Sequence, residues 1–299
     1  MGAIANAGYR RSAEFARNSV AVRWPDLNFR ILSTLPQMTP ELCPPDQHKQ
    51  LLAALRLSLV AGVGPRHWQT LVERFGSPDA VLAAAPSELR SVSGIGPKLG
   101  RAISAAKQEV DAERELELCR RHGIEILIRS SAAYPKPLVE IPDPPAMLFI
   151  HGSLQSTDAM SVAIVGSRHA THYGKTQAER LAGGLARAGL TVVSGLARGI
   201  DAAGHRGALA AGGRTLAVLG SGVLNIYPPE HRELALEVQR RGALISEAPP
   251  QSSPLSGAFP QRNRIISGLS LGSHTAGCKV RSSHSRTQTF AHAWFACSA

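Results

Sequence analysis

One pattern recurs along this chain: a short β-branched apolar run ends in a glycine turn and gives way to helical spacing. Val162-Ala-Ile-Val-Gly-Ser-Arg168 and Leu190-Thr-Val-Val-Ser-Gly-Leu-Ala-Arg-Gly-Ile-Asp201 are its clearest instances. Apolar runs that do not alternate belong to parallel strands covered on both faces. The spacing predicts strands at 162–165, 190–194, 214–219 and 243–246, with helices at 172–188, 199–211 and 230–241. That alternation restricts the chain to an α/β fold, a Rossmann-like doubly wound and mainly parallel sheet. Ligands of such sheets lie beyond the carboxyl ends of the strands. The turns at Gly166, Gly195 and Gly220-Ser-Gly222 all fall there. Glycine admits a ligand close to the backbone, and a following helix aims unpaired N–H groups at it. With Arg168 and Arg198 in two of the turns, this edge is expected to bind phosphates.

Upstream the pattern is helical. Trp68, Leu71, Val72 and Phe75 fall on one helix face, and a long charged helix is expected to run toward Arg121 until Gly123 ends it. Val60-Ala-Gly-Val-Gly-Pro-Arg66 and Val92-Ser-Gly-Ile-Gly-Pro-Lys98 form a weak internal repeat. The repeat resembles the helix-hairpin-helix, in which Gly94, Gly96 and Lys98 would meet a DNA backbone. A hairpin that only packs or docks a partner fits the same residues. Ile124–Ile128 and Met147–Gly152 read as further strands, joined by proline-fixed connections. The expected division is a flexible extension at 1–47, a small all-α helix-hairpin-helix or SAM-like domain at 48–115, the Rossmann-like domain at 116–272, and an aberrant, disordered tail at 273–299.

The net charge of +11 favours a polyanionic partner, and its position matters more than its size. Residues 160–272 carry 12 Lys/Arg against 6 Asp/Glu, whereas residues 1–159 carry 18 against 16. Cys43, Cys119, Cys278 and Cys297 are scattered, which argues against a disulfide framework or a structural zinc site and for a reducing cytoplasm. No apolar run suits a membrane span, and the basic stretch before Met38 reads as a tail or a misassigned start.

Several catalytic and cofactor motifs fail. Gly174-Lys-Thr176 lacks the leading glycine of a P-loop, since that position is His169. Gly220-Ser-Gly222 lacks the third glycine of a dinucleotide fingerprint, so no cofactor is expected. No nucleophile elbow or HExxH is present. Asp201 and His205, one turn apart, read as a helix cap with a local hydrogen bond. His274, His284 and His292 fit no metal template. In Gly257-Ala-Phe-Pro-Gln-Arg-Asn-Arg-Ile-Ile-Ser-Gly268, Pro260 is expected to start a helix, which crowds Arg262, Asn263 and Arg264 into its first turn. Cations there oppose the helix dipole unless they share an anion. A surface helix with solvated arginines is the plainer reading.

Together, Gly166-Ser-Arg168, Ser194-Gly-Leu-Ala-Arg-Gly-Ile-Asp201, Gly220-Ser-Gly222 with Tyr227-Pro228, and Phe259-Pro-Gln-Arg-Asn-Arg-Ile-Ile-Ser-Gly268 resemble the DNA-processing protein A (DprA/Smf) family over roughly 51–272. The resemblance implies a cytoplasmic, non-enzymatic protein of natural transformation. Such a protein binds and protects incoming single-stranded DNA and helps load the RecA recombinase. The positions matching the family's DNA pocket are Gly166, Ser167, Arg168, Gly195, Arg198, Gly199, Gly220, Arg262, Asn263 and Arg264. With 5% aromatic residues, base stacking is not expected to dominate affinity. After Gly272 the sequence leaves the family pattern, as a frameshift or a damaged gene would produce, with a native but divergent tail as the alternative. That departure puts the family's homodimer and its recombinase loading in question. The alternative is an enzyme or sensor that uses the same edge for a nucleotide or other small phosphate ligand.

Overall fold

Five successive helices open on proline, whose fixed φ suits the first helical position and whose missing N–H would be unpaired there anyway. In the computed structural model, which describes residues 45–276, they are α1 (Pro45–Leu59), α2 (Pro65–Phe75), α3 (Pro78–Ala83), α4 (Pro86–Leu89) and α5 (Pro97–Glu109). Expectations about residues 1–44, including the choice between Met1 and Met38, and about residues 277–299 lie outside the described residues.

The single long helix expected toward Arg121 is two. Val110 is extended, and the Asp111 carboxylate accepts from the Arg114 N–H at 2.9 Å to begin α6 (Ala112–Arg121). Arg56 of α1 holds the break by donating to the Val110 carbonyl at 3.3 Å and to Glu113 at 2.8 Å. A cap plus a long-range cation outweighs the helical propensity of the flanking Glu and Arg residues.

The sheet follows, with β1 (Ile124–Ile128), a short α7 (Lys136–Val139), β2 (Met147–Gly152), β3 (Ser161–Gly166), α8 (His172–Arg187), β4 (Thr191–Ser194), α9 (Ile200–Ala210), β5 (Thr215–Val218), α10 (Arg232–Arg241), β6 (Ala243–Ser246), α11 (Ala258–Leu269) and β7 (Gly272–Ala276). Its order is β1-β2-β6-β5-β4-β3-β7. Strands β3 to β6 and β7 are parallel, and β2 joins β6 antiparallel. The chain steps from β3 to β6 through α8, α9 and α10, then returns through α11 to the far side of β3. The order therefore reverses between β3 and β7, the point where such sheets open a crevice.

The sequence pattern places the end of the ordered domain at Gly272. Here Gly272 faces Val162 and Ala276 faces Gly166 in a parallel ladder, so β3 is not the edge of the sheet. Backbone pairing defines this strand, and apolar periodicity does not reveal it. The expected borders at 47/48, 115/116 and 272/273 each fall inside an element, namely α1, α6 and β7.

Alternate residues of each strand feed opposite faces. Ala163, Val165, Val193, Leu216, Val218 and Ile245 pack with Ile265, Ile266 and Leu269 of α11. Ile164 and Val192 meet α8 and α9 through Ala178, Ala182 and Ile200. Phe149, Ala217 and Leu244 join Leu55, Leu71 and Ile103 of the helical part in one continuous core. The helical part is thus packed onto the sheet and shares its interior.

Candidate functional site

The three glycine turns meet at the carboxyl edge of β3, β4 and β5. Ser167 ties the first to the second: its carbonyl accepts from the Ile200 N–H at 3.2 Å, while its Oγ accepts from the His169 N–H at 3.1 Å. Gly199 lies between them at φ 78, and a Cβ there would run into the Ser167 carbonyl, so only glycine fits. Leu196 is buried at φ 59, a costly conformation for a side-chain-bearing residue, and His231 Nδ1 donates to its carbonyl at 2.8 Å. Gly220 in the third turn lies against the Phe259 ring.

The helix N-terminus contributes less than the sequence suggests. Two of the first N–H groups of α9 are taken, Ile200 by Ser167 and Ala202 by the Ala197 carbonyl. Positive character at this edge rests on guanidinium groups. Arg168 is exposed and lies 5.3 Å above the centre of Phe259, whose ring centre is 5.6 Å from that of Tyr227. Arg198 is exposed and pairs with Glu230 at 2.5 Å. Glu230 pushes the Arg198 guanidinium above its usual range, with a smaller contribution from Tyr227. Arg168, Phe259, Tyr227 and Arg198 therefore form one connected surface.

Arg262 and Arg264 do not join that surface as expected. α11 begins at Ala258, two residues before Pro260, which places Arg262, Asn263 and Arg264 about half a turn further in. Arg262 is 4% exposed. Its Nη1 donates to the carbonyls of Gly195 (2.5 Å) and Val218, its Nε donates to Asn263 Oδ1 at 3.2 Å, and its Nη2 is 3.5 Å from Asp201. A Cβ on Gly195 would occupy the space of the guanidinium. This arginine braces the turns from beneath. Arg264 turns toward the end of β6, with Nη2 2.6 Å from Glu247.

The buried network under the turns corrects the Asp201–His205 pairing. Asp201 accepts from the Ala197 N–H at 3.4 Å, and burial pushes its carboxyl upward against the pull of Arg262. His205 Nδ1 instead meets Thr215 Oγ1 at 2.7 Å, and that hydroxyl donates to the Val192 carbonyl at 2.8 Å. Burial lowers the His205 imidazole to about 3. Among the described residues no His, Cys, Asp and Glu group suits a metal ion, and no helix is long and apolar enough to cross a membrane. Cys119 is buried, which raises its thiol to about 12.

The upstream repeat is structural as well as sequential. Gly62 and Gly94 have φ 96 and 85, and the N–H groups of Val63 and Ile95 reach the Val60 and Val92 carbonyls at 3.0 and 3.1 Å. The two turns diverge in setting. Arg66 is paired with Asp143 at 3.1 Å, whereas Gly94, Gly96 and Lys98 are exposed. Sequence reasoning assigned no role to Glu230, Glu247 or the ring of Phe259. Of these, Phe259 alone had a signal, its place directly before Pro260.

A family model described as DNA recombination-mediator protein A matches residues 125–293, and one described as a SAM-like helix-hairpin-helix tandem matches residues 54–108. A protein Smf from Synechocystis is 38% identical over 220 residues, covering 72% of this chain and 55% of that protein. A DNA processing protein DprA from Bacillus subtilis is 41% identical over 175 residues, covering 56% and 59%. The chain thus spans little more than half the length of these curated relatives. The crystal structure of DNA processing protein A from Streptococcus pneumoniae is similar to this fold at a TM-score of 0.63 and 32% identity, covering 77% of each chain.

Proposed function

This chain belongs to the DNA recombination-mediator protein A family, and from that premise we propose that its glycine-turn edge binds the sugar-phosphate backbone of single-stranded DNA without turnover. The carrying observation is the connected surface of Arg168, Phe259, Tyr227 and Arg198 above the Gly166, Gly195 and Gly220 turns. Guanidinium groups on a glycine floor grip phosphates irrespective of sequence, and rings beside them offer bases a face. Arg262, Asn263 and Asp201 act from below by fixing the turns. The exposed turn at Gly94, Gly96 and Lys98 adds a second grip on the backbone.

In this reading the protein works in the cytoplasm during DNA processing in natural transformation. It protects incoming strands and helps load the RecA recombinase, and self-association belongs to the same proposal. The test is strand binding followed by fluorescence anisotropy across a salt series. Arg168→Ala and Arg198→Ala should each weaken binding to a 20-nucleotide strand and lower the log–log salt slope by about 0.7 for every phosphate no longer neutralised. Unchanged slopes in both variants, or equal competition by a mononucleotide, would favour the small-phosphate reading.

A further inference from the structure

The outer faces of α8 and α9 carry positive charge that the glycine-turn edge does not use. The two helices cross closely because small residues meet there. A Cβ on Gly207 would strike the Glu179 backbone, and one on Gly183 would crowd the Gly207 carbonyl. With no side chain to fill the crossing, a trough of about 460 Å³ remains on its solvent side. Arg180, Arg187 and Arg206 line it, with Glu179 as the one acid among the lining residues. All three arginines are exposed, and among the described residues none of them is ion-paired. Like charges gathered around one depression reinforce each other's field and draw in an anion.

The trough leads away from the phosphate-binding edge. α8 follows the turn that carries Arg168, and α9 follows the turn that carries Arg198 and Gly199. As crossovers between the consecutive parallel strands β3, β4 and β5, the helices run side by side in one direction. α8 has 16 residues, about 24 Å of rise, and Arg187 ends it. Tyr173, Arg180 and Arg187 recur every seven residues and so share one face of α8. Tyr173 is 74% exposed and stands in the first turn, nearest in the chain to Arg168. A strand leaving the edge thus meets an aromatic ring and then guanidinium groups, the combination that holds single strands without reading sequence. The ring favours nucleic acid over an acidic peptide, which has the charge but no base to stack.

We propose that the α8–α9 trough is a second phosphate track, which takes the next stretch of a strand whose first stretch lies on the glycine turns. At about 3.4 Å per nucleotide, the length of α8 accommodates about seven nucleotides. This rests on the strand-binding reading above.

The experiment compares oligothymidylates of six and twenty nucleotides on the full chain, by fluorescence anisotropy across a salt series. The short strand fills the edge alone, and the long one reaches the trough as well. With Arg180→Ala, Arg187→Ala and Arg206→Ala combined, the long-strand salt slope should fall by about 2, at about 0.7 per lost phosphate contact, while the short strand binds as before. Arg168→Ala should instead weaken both. Arg180→Lys, Arg187→Lys and Arg206→Lys together keep the charge and should keep the parent slope. Glu179→Gln should tighten the long strand about two- to threefold at low salt and leave the short strand unchanged. That measurement decides the matter if a thermal melt finds the alanine variant unfolded.

An unchanged long-strand slope in the folded alanine variant overturns the track, as does unchanged long-strand affinity in Glu179→Gln. A lysine variant that behaves like the alanine one overturns it too, since the charge is still there. If the slope is unchanged but binding of a decaglutamate peptide is lost, the trough belongs to acidic peptides and the track is overturned. A loss confined to the long strand in the trough variant, with Arg168→Ala and Arg198→Ala silent at both lengths, retains the track and rejects the edge.

Discussion

His205 is fully buried, and the pH dependence of stability follows from it. Its imidazole is lowered to about 3 by burial, so between that value and the ordinary 6.5 the unfolded chain takes up a proton that the folded chain refuses. Stability from this group is complete above pH 6.5 and drains as pH falls toward 3. At pH 5 the loss is roughly 2 kcal/mol relative to pH 8. His205→Asn, which retains a partner for Thr215, should lack that loss, as urea titrations at the two pH values would reveal. Asp201 titrates in the opposite sense in both proteins. Glu230 gives a second residue-scale prediction. Its carboxylate occupies the Arg198 guanidinium that a phosphate would claim. Glu230→Gln should therefore tighten strand binding, about two- to fivefold at low salt and less at high salt, since exposed ion pairs are weak and screened. None of these pairings was legible in the sequence. Arg198–Glu230 and Arg262–Gly195 join positions 32 and 67 residues apart, which no local period encodes.

Elements were easier to read than residues. The four inner strands and the helices between them follow from apolar runs and glycine turns, because burial on both faces leaves little choice of residue. Three elements escaped that logic for separate reasons. The break before α6 depends on Arg56 reaching from α1. The start of α11 at Ala258 precedes the proline that looked like its first residue, because proline is accommodated anywhere in a first turn. β7 is recognisable only by its ladder with β3. The paired turns also differ by element rather than by sequence. Arg66 is spent on Asp143, while Lys98 is exposed. Lys98→Ala should lower the salt slope of strand binding by about 0.7, the share of a single phosphate, and Arg66→Ala should lower it less.

At the scale of the molecule, the shared core of helices and sheet removes any border between those two parts. Leu55 and Leu71 belong to the same apolar cluster as Phe149 and Leu244, and α6 touches both α1 and β1. A calorimetric scan should therefore show one cooperative transition for the helical part and the sheet, with van't Hoff and calorimetric enthalpies in agreement. Two separated peaks would contradict it. The Rossmann-like order and the helical preface were legible from apolar spacing, whereas their fusion into one interior depends on which helix faces meet.

The guanidinium beneath the turns has a consequence for synthesis. Gly195, Asp201 and Val218 leave the ribosome long before Arg262, so a growing chain holds two carbonyls and a carboxylate around an empty slot. The rims of the binding surface can take their final shape only after α11 arrives, near the end of the described residues. The nascent protein would thus lack the connected surface of Arg168, Phe259, Tyr227 and Arg198 until α11 has been made.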